Sequence, residues 1–122
     1  MNKRRIVVTG MGAVTPLGNT VQESWAAIRN KESGIDKISL FDASNYPVQI
    51  AAEVKNFLPE EHGIESREAR RMARFTQFLL SASYEAIRDA GLSKETLEAE
   101  RTGIMVGNGL SVFDVIEQAY DK

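Results

Sequence analysis

The chain has no cysteine among its 122 residues, and only three prolines, one tryptophan and one histidine. Without cysteine there is no disulfide framework, no thiolate nucleophile and no cysteine-ligated zinc within these residues, and nothing argues for secretion. The single histidine, His62 in Glu60-Glu61-His62-Gly63, has no second histidine for a metal pair and reads as a solvated loop residue. No metal or cofactor is expected. Long hydrophobic runs are missing too. No stretch approaches the roughly 18 apolar residues of a membrane span. The apolar run behind Met1-Asn2-Lys3-Arg4-Arg5 is far too short for a signal peptide. A cytoplasmic protein without a membrane role is the expectation. Charge of one sign is also scarce: 15 Lys and Arg against 17 Asp and Glu leave a net charge of −2. That excludes the global basic footprint of a nucleic-acid binder.

What is present begins with Arg5-Ile6-Val7-Val8-Thr9-Gly10-Met11-Gly12-Ala13-Val14-Thr15-Pro16-Leu17-Gly18-Asn19-Thr20. An apolar run passes into a glycine-punctuated turn and then a helix start, the opening of an α/β unit. Ile6-Val7-Val8 has no polar alternation, so the strand is expected in the middle of a sheet, covered on both faces. Thr20 and Glu23 make a capping box: the hydroxyl accepts from the Glu23 N–H while the carboxylate reaches back to the Thr20 N–H. Gly10 and Gly12 suggest a nucleotide loop, but Thr15 stands where a dinucleotide fingerprint needs its third glycine, and Pro16 follows. Two readings stay open, a phosphate loop or glycines required by a tight turn.

A first helix is expected from about Val21 to Asn30, with Val21, Trp25 and Ile28 as its buried stripe. Residues 35–47 read as a packed irregular connection, Gln49 to Val54 as a short strand, and Phe57 to Gly63 as loop. A second helix should run unbroken from Ser66, as N-cap, to Gly91, just past its end. Met72, Phe75, Leu79, Ala82, Ala86 and Ala90 share one face of it. That face narrows to alanine, which suits close approach to another element. One or two helical turns are expected from Ser93 to Ala99. Thr102 to Gly107 reads as a second buried strand, and Val112, Val115, Ile116 and Ala119 begin another helical stripe that stops at Lys122. Two strands and a weaker third are too few for a sheet covered on both faces. Residues 1–122 are therefore expected to form an incomplete domain of a larger fold.

Arg67, Arg70, Arg71 and Arg74 stand at i, i+3, i+4 and i+7, which on one helix lines up four guanidinium groups. They form a solvated face or a docking surface for an acidic partner or a phosphate.

These residues resemble a known family. Arg4 through Gly18 is similar to the N-terminus of β-ketoacyl-acyl-carrier-protein synthases, most closely the type II elongating enzymes of bacterial fatty acid synthesis. The resemblance continues through Ser33-Gly34-Ile35, Phe41-Asp42, Ser66-Arg67 to Arg71-Met72, and Arg101 to Gly107. It implies an α/β, thiolase-like αβαβα sandwich built of two halves, usually homodimeric, of which this chain is the opening part of the N-terminal half. The implied reaction is a decarboxylative Claisen condensation of an acyl thioester with malonyl-acyl carrier protein. The nucleophilic cysteine and both histidines of that family fall beyond position 122, and His62 matches neither. No catalytic residue is assigned, and this stretch alone is expected to be inactive. The resemblance carries acyl-carrier-protein docking onto Arg67, Arg70 and Arg71, and an acyl-pocket gate onto Leu110. Phe113 is placed either near that pocket or at the dimer interface. Acyl and malonyl thioesters are the implied substrates. Two other readings remain: a sister condensing enzyme or polyketide ketosynthase, and a non-catalytic module that binds an acidic protein through the Arg67–Arg74 helix.

Overall fold

A computed structural model describes residues 4–93, 95–97, 99–109, 116 and 120. Thr20, extended at φ −137° and ψ 162°, caps helix α1 (Val21–Arg29) by accepting the Glu23 N–H at 3.2 Å. The Glu23 carboxylate reaches back one residue further than the capping box requires, to the Asn19 N–H at 2.7 Å. Lys31, at φ 59°, takes the left-handed position that ends α1. The Glu32 N–H there reaches the Ala27 carbonyl, which satisfies an end of the helix without glycine.

The anticipated stripe of α1 is not its buried face. Trp25 and Ile28 are 60% and 52% exposed, while Ser24 and Ala27 are buried. The reason is the turn before the helix. Thr15 and Gly18 pair across it, and the Ser24 hydroxyl bonds both the Gly18 carbonyl and the Thr15 hydroxyl, at 3.2 and 2.8 Å. This polar lock turns α1 onto its small-residue side. Trp25 and Ile28 then line an open apolar recess of about 590 Å³ with Met11, Ala13 and Val21.

Strands β1 (Ile35–Lys37) and β2 (Ile50–Ala52) pair antiparallel, with Ile35 opposite Ala52. β2 falls within the segment expected as a strand; β1 falls where an irregular connection was expected. Lys55 and Asp36 form an ion pair at 2.7 Å beside them. The Lys55 ammonium, then the Lys37 backbone N–H, hold the Asp36 carboxyl below its ordinary value.

The two apolar runs expected as buried strands, Ile6–Val8 and Thr102–Gly107, belong to no strand. Ile6 is 95% and Met105 99% exposed. Their β-branched composition is strand-like, but among the described residues no neighbouring strand supplies backbone partners. The chain exposes 10754 Å²; a folded monomer of its 13.5 kDa shows roughly 6,500 Å².

The long second helix is divided. α2 (Ser66–Ala69) and α3 (Arg74–Asp89) flank Ala73, which is extended at φ −60° and ψ 150°. No glycine or proline marks the break. Instead the Gln77 side chain donates to the carbonyls of Ala69 and Met72, at 2.9 and 3.2 Å, replacing the backbone donors that a continuous helix would supply. The N-cap of α2 is Glu65 rather than Ser66. Gly91, at φ 65°, ends α3 as expected, with Leu92 N–H donating to the Ile87 carbonyl at 3.0 Å.

Gly10 and Gly12 are required by the close approach of a helix rather than by a tight turn. A Cβ on Gly12 would lie 1.8 Å from the Ala82 carbonyl oxygen, and one on Gly10 would lie 2.2 Å from that of Ala86. The alanine face of α3 presses directly on this segment. Along it Met11 N–H donates to Asp89 at 3.0 Å and Ala13 N–H to Glu85 at 2.9 Å. The second Glu85 oxygen accepts the Val21 N–H at 3.0 Å, so one carboxylate ties α3 to both the segment and the start of α1.

Candidate functional site

The arginine cluster is built on the joint between a 3-10 helix, Pro59–His62, and α2. Pro59 starts the 3-10 turn with its φ preset. Gly63, left-handed at φ 82°, reverses the chain, and the Ile64 N–H closes back to the Pro59 carbonyl at 3.1 Å. Ile64, Ala69 and Phe57 are buried and anchor the joint. His62 stacks on Phe57 at 5.0 Å, and Phe57 meets Phe78 of α3 edge-on at 4.9 Å. His62 is thus a half-buried packing partner, not the solvated loop residue that its acidic neighbours suggested.

The turn of α2 continues past Ala69, with Arg70 N–H donating to Ser66 O at 3.2 Å, Arg71 N–H to Glu68 O at 2.9 Å and Met72 N–H to Ala69 O at 3.1 Å. Arg67, Arg70 and Arg71 therefore keep their i, i+3, i+4 relation on one side of that turn. All three are exposed. None of the three guanidinium groups forms an ion pair among the described residues. Arg74 is separated from them by the extended Ala73 and is used internally. Its guanidinium donates to the Val54 carbonyl at 2.9 Å and lies 5.0 Å over the Phe78 ring. The aligned set of four is a set of three plus a tie between α3 and the residues after β2.

An acidic side chain of the 3-10 turn is bonded to the start of α2. The Ser66 hydroxyl donates to the Glu60 carboxylate. That bond first, its own backbone N–H next, and Arg70 after them hold the Glu60 carboxyl below the usual carboxylate range. Sequence reading missed Glu60, although Pro59 and Gly63 bracket a helical turn that could have been seen.

Beside the start of α3, Phe75, Phe78 and Leu79 face Val106, Gly107 and Asn108 across an apolar recess of about 230 Å³. The chain leading to the anticipated gate thus lies against α3. Leu110 and Phe113 are outside the described residues, as are Val112, Val115 and Ala119. Ser93 to Ala99 gives a turn closed by Leu97 N–H to Ser93 O at 3.0 Å. Among the described residues no helix is long and apolar enough to cross a membrane.

Residues 3–122 match the family described as beta-ketoacyl synthase, N-terminal domain. The chain is 43% identical over 119 residues to 3-oxoacyl-[acyl-carrier-protein] synthase 2 of Staphylococcus aureus strain COL. It is 40% identical over 121 residues to the protein of the same name in Coxiella burnetii. These alignments cover 98% and 99% of this chain but only 28% and 29% of those relatives. A solved structure titled the ishigamide ketosynthase/chain length factor is also similar, with a TM-score of 0.67 and 33% identity. It covers 78% of this chain and 23% of that one.

Proposed function

The chain belongs to the β-ketoacyl synthase family, whose N-terminal domain it matches, and from that premise we propose that the full-length protein is an elongating 3-oxoacyl-acyl-carrier-protein synthase of fatty acid biosynthesis. The observation that carries this reading is the 43% identity to a synthase of that name, sustained over 98% of the chain. Family membership brings a thiolase-like fold. The finer reading is that residues 1–122 open the first half of an αβαβα sandwich that pairs as a homodimer. Its remaining strands would cover Ile6–Val8, Trp25 and Ile104–Val106, whose exposure supports that assignment.

In the reaction a thiolate takes the acyl group from its carrier thioester. Malonyl-acyl carrier protein then loses CO₂, and the electron pair left on carbon attacks the enzyme-bound acyl carbonyl, expelling the thiolate. This chain has no cysteine, and its one histidine is engaged with Phe57, so it contributes no catalytic residue to that chemistry. Its part is delivery. Arg67, Arg70 and Arg71 dock the acidic acyl carrier protein, and three exposed guanidinium groups without an ion pair among the described residues suit carboxylates on a partner surface. Leu110 gates the acyl pocket, and the residues just before it, 106–108, line a recess against α3.

Arg70→Glu in the full-length protein is expected to raise KM for acyl-carrier-protein substrates about tenfold, the order expected when an exposed interfacial charge is reversed. Kinetics with a small acyl thioester should not change. Equal kinetics with both substrate types would remove the docking assignment. Replacing Leu110 by a bulkier or smaller side chain should move the preferred acyl length, read as kcat/KM across a chain-length series. An unaltered series would contradict the gate.

The ketosynthase title of the 33% identical structure supports a second reading, a polyketide-type condensing enzyme. It predicts turnover with polyketide rather than fatty acyl thioesters.

A further inference from the structure

The turn that carries the three exposed arginines is tied to α3 through a side chain, that of Gln77. Its backbone N–H donates to the Ala73 carbonyl at 3.2 Å, and its carbonyl accepts the hydroxyl of buried Ser81 at 2.8 Å. From that fixed base the half-buried side chain donates to the carbonyls of Ala69 and Met72, at 2.9 and 3.2 Å. Those two residues flank Arg70 and Arg71 in the chain. In a continuous helix their carbonyls would accept the N–H groups of residues 73 and 76. Here Ala73 is extended, and the Thr76 N–H goes to the Ala73 carbonyl at 3.0 Å. Local propensity does not demand that break, since methionine, alanine and arginine are all good helix formers. The Gln77 amide takes over the two carbonyls and holds the arginine turn bent against α3.

We infer that Gln77 is a positioning residue for docking of the acyl carrier protein: its amide sets the direction in which Arg67, Arg70 and Arg71 present their charge. The inference rests on the docking reading given above. Without the two bonds the turn is free to straighten into α3, which would carry the arginines round the helix axis and bring Arg74 into their row. Ordering that is complete before the partner arrives is not subtracted from the binding free energy. Gln77 touches neither substrate nor partner and acts only through the turn it holds.

The test uses the full-length protein, with KM measured for an acyl-carrier-protein substrate and for a small acyl thioester. Gln77→Met removes both donors at nearly constant volume and without a change of charge. It should raise KM for the carrier-bound substrate about three- to tenfold relative to that for the small thioester, the range for one net hydrogen bond. Combined with Arg70→Glu it should add less than its effect alone, because a residue acting through Arg70 then has less to position. An equal change in KM for both substrates, or none, would overturn the inference, as would full additivity with Arg70→Glu. Gln77→Ala repeats the comparison should Gln77→Met be insoluble. Insolubility of both would mean that the two bonds hold the fold and not the docking turn, which also overturns it. Arg70→Glu alone is the separate check on docking: if it leaves the ratio of the two KM values unmoved, the docking reading itself fails, whatever Gln77 does.

Discussion

Gly12→Ala should leave the full-length protein largely insoluble, or lower its unfolding free energy by more than about 3 kcal/mol, the upper range for overpacking a filled contact. The added methyl would stand 1.8 Å from the Ala82 carbonyl oxygen and 2.7 Å from its carbonyl carbon, with the Ala86 nitrogen at 2.9 Å. All three are backbone atoms of α3, so no rotamer change relieves the overlap. α3 would have to move away from the segment, and the bonds from Met11 to Asp89 and from Ala13 to Glu85 would go with it. Shrinking the facing residue does not help, because the clash is with its backbone. Ala82→Gly in the same chain should therefore fail to restore stability. Denaturant midpoints of the single and double variants decide the matter; wild-type stability in Gly12→Ala would mean that α3 does not lie against this segment.

The second large effect is expected at Glu85. Its two oxygens accept the Ala13 and Val21 N–H groups, at 2.9 and 3.0 Å. Val21 is the first residue of α1, one of the positions whose N–H has no partner within the helix. Glu85→Ala leaves both half-buried donors unsatisfied, at about 1–3 kcal/mol each, so a loss on the order of 3–4 kcal/mol is expected. Glu85→Gln keeps one carbonyl acceptor and cannot serve both donors. It should lose about half as much. Equilibrium denaturation of the three proteins distinguishes this graded response from a flat one. Equal stability of the alanine and glutamine variants would show that the second bond contributes nothing.

Both sites act on the segment that the sequence marks most clearly, yet for a different reason than the sequence suggests. Gly10 and Gly12 invite a reading in terms of turns or phosphates because those are the local uses of glycine. Their actual requirement is a helix about seventy residues away. The alanine row at 82, 86 and 90 gave half of that contact, since it promised close approach to something. Nothing local names the partner. The same limit explains Gln77. A glutamine inside a good helical pattern gives no warning that its amide will cap the carbonyls of Ala69 and Met72 and divide the helix. That division separates Arg74 from the exposed arginines and leaves Arg67, Arg70 and Arg71 together on one turn.

Short-range order was determined by the chain itself. Thr20 starts α1, Gly91 ends α3, and the i, i+3, i+4 arginines share one turn, because each depends on hydrogen bonds or side-chain spacing within about four residues. Family membership was also legible, since residue identities in order carry it without coordinates. Tertiary structure alone decided which face of α1 is buried, why two glycines are needed, where the long helix breaks, and that Ser66 bonds the Glu60 carboxylate. Those outcomes depend on which distant backbone and side-chain atoms come within a few ångströms, and hydrophobic period and propensity do not encode such distances.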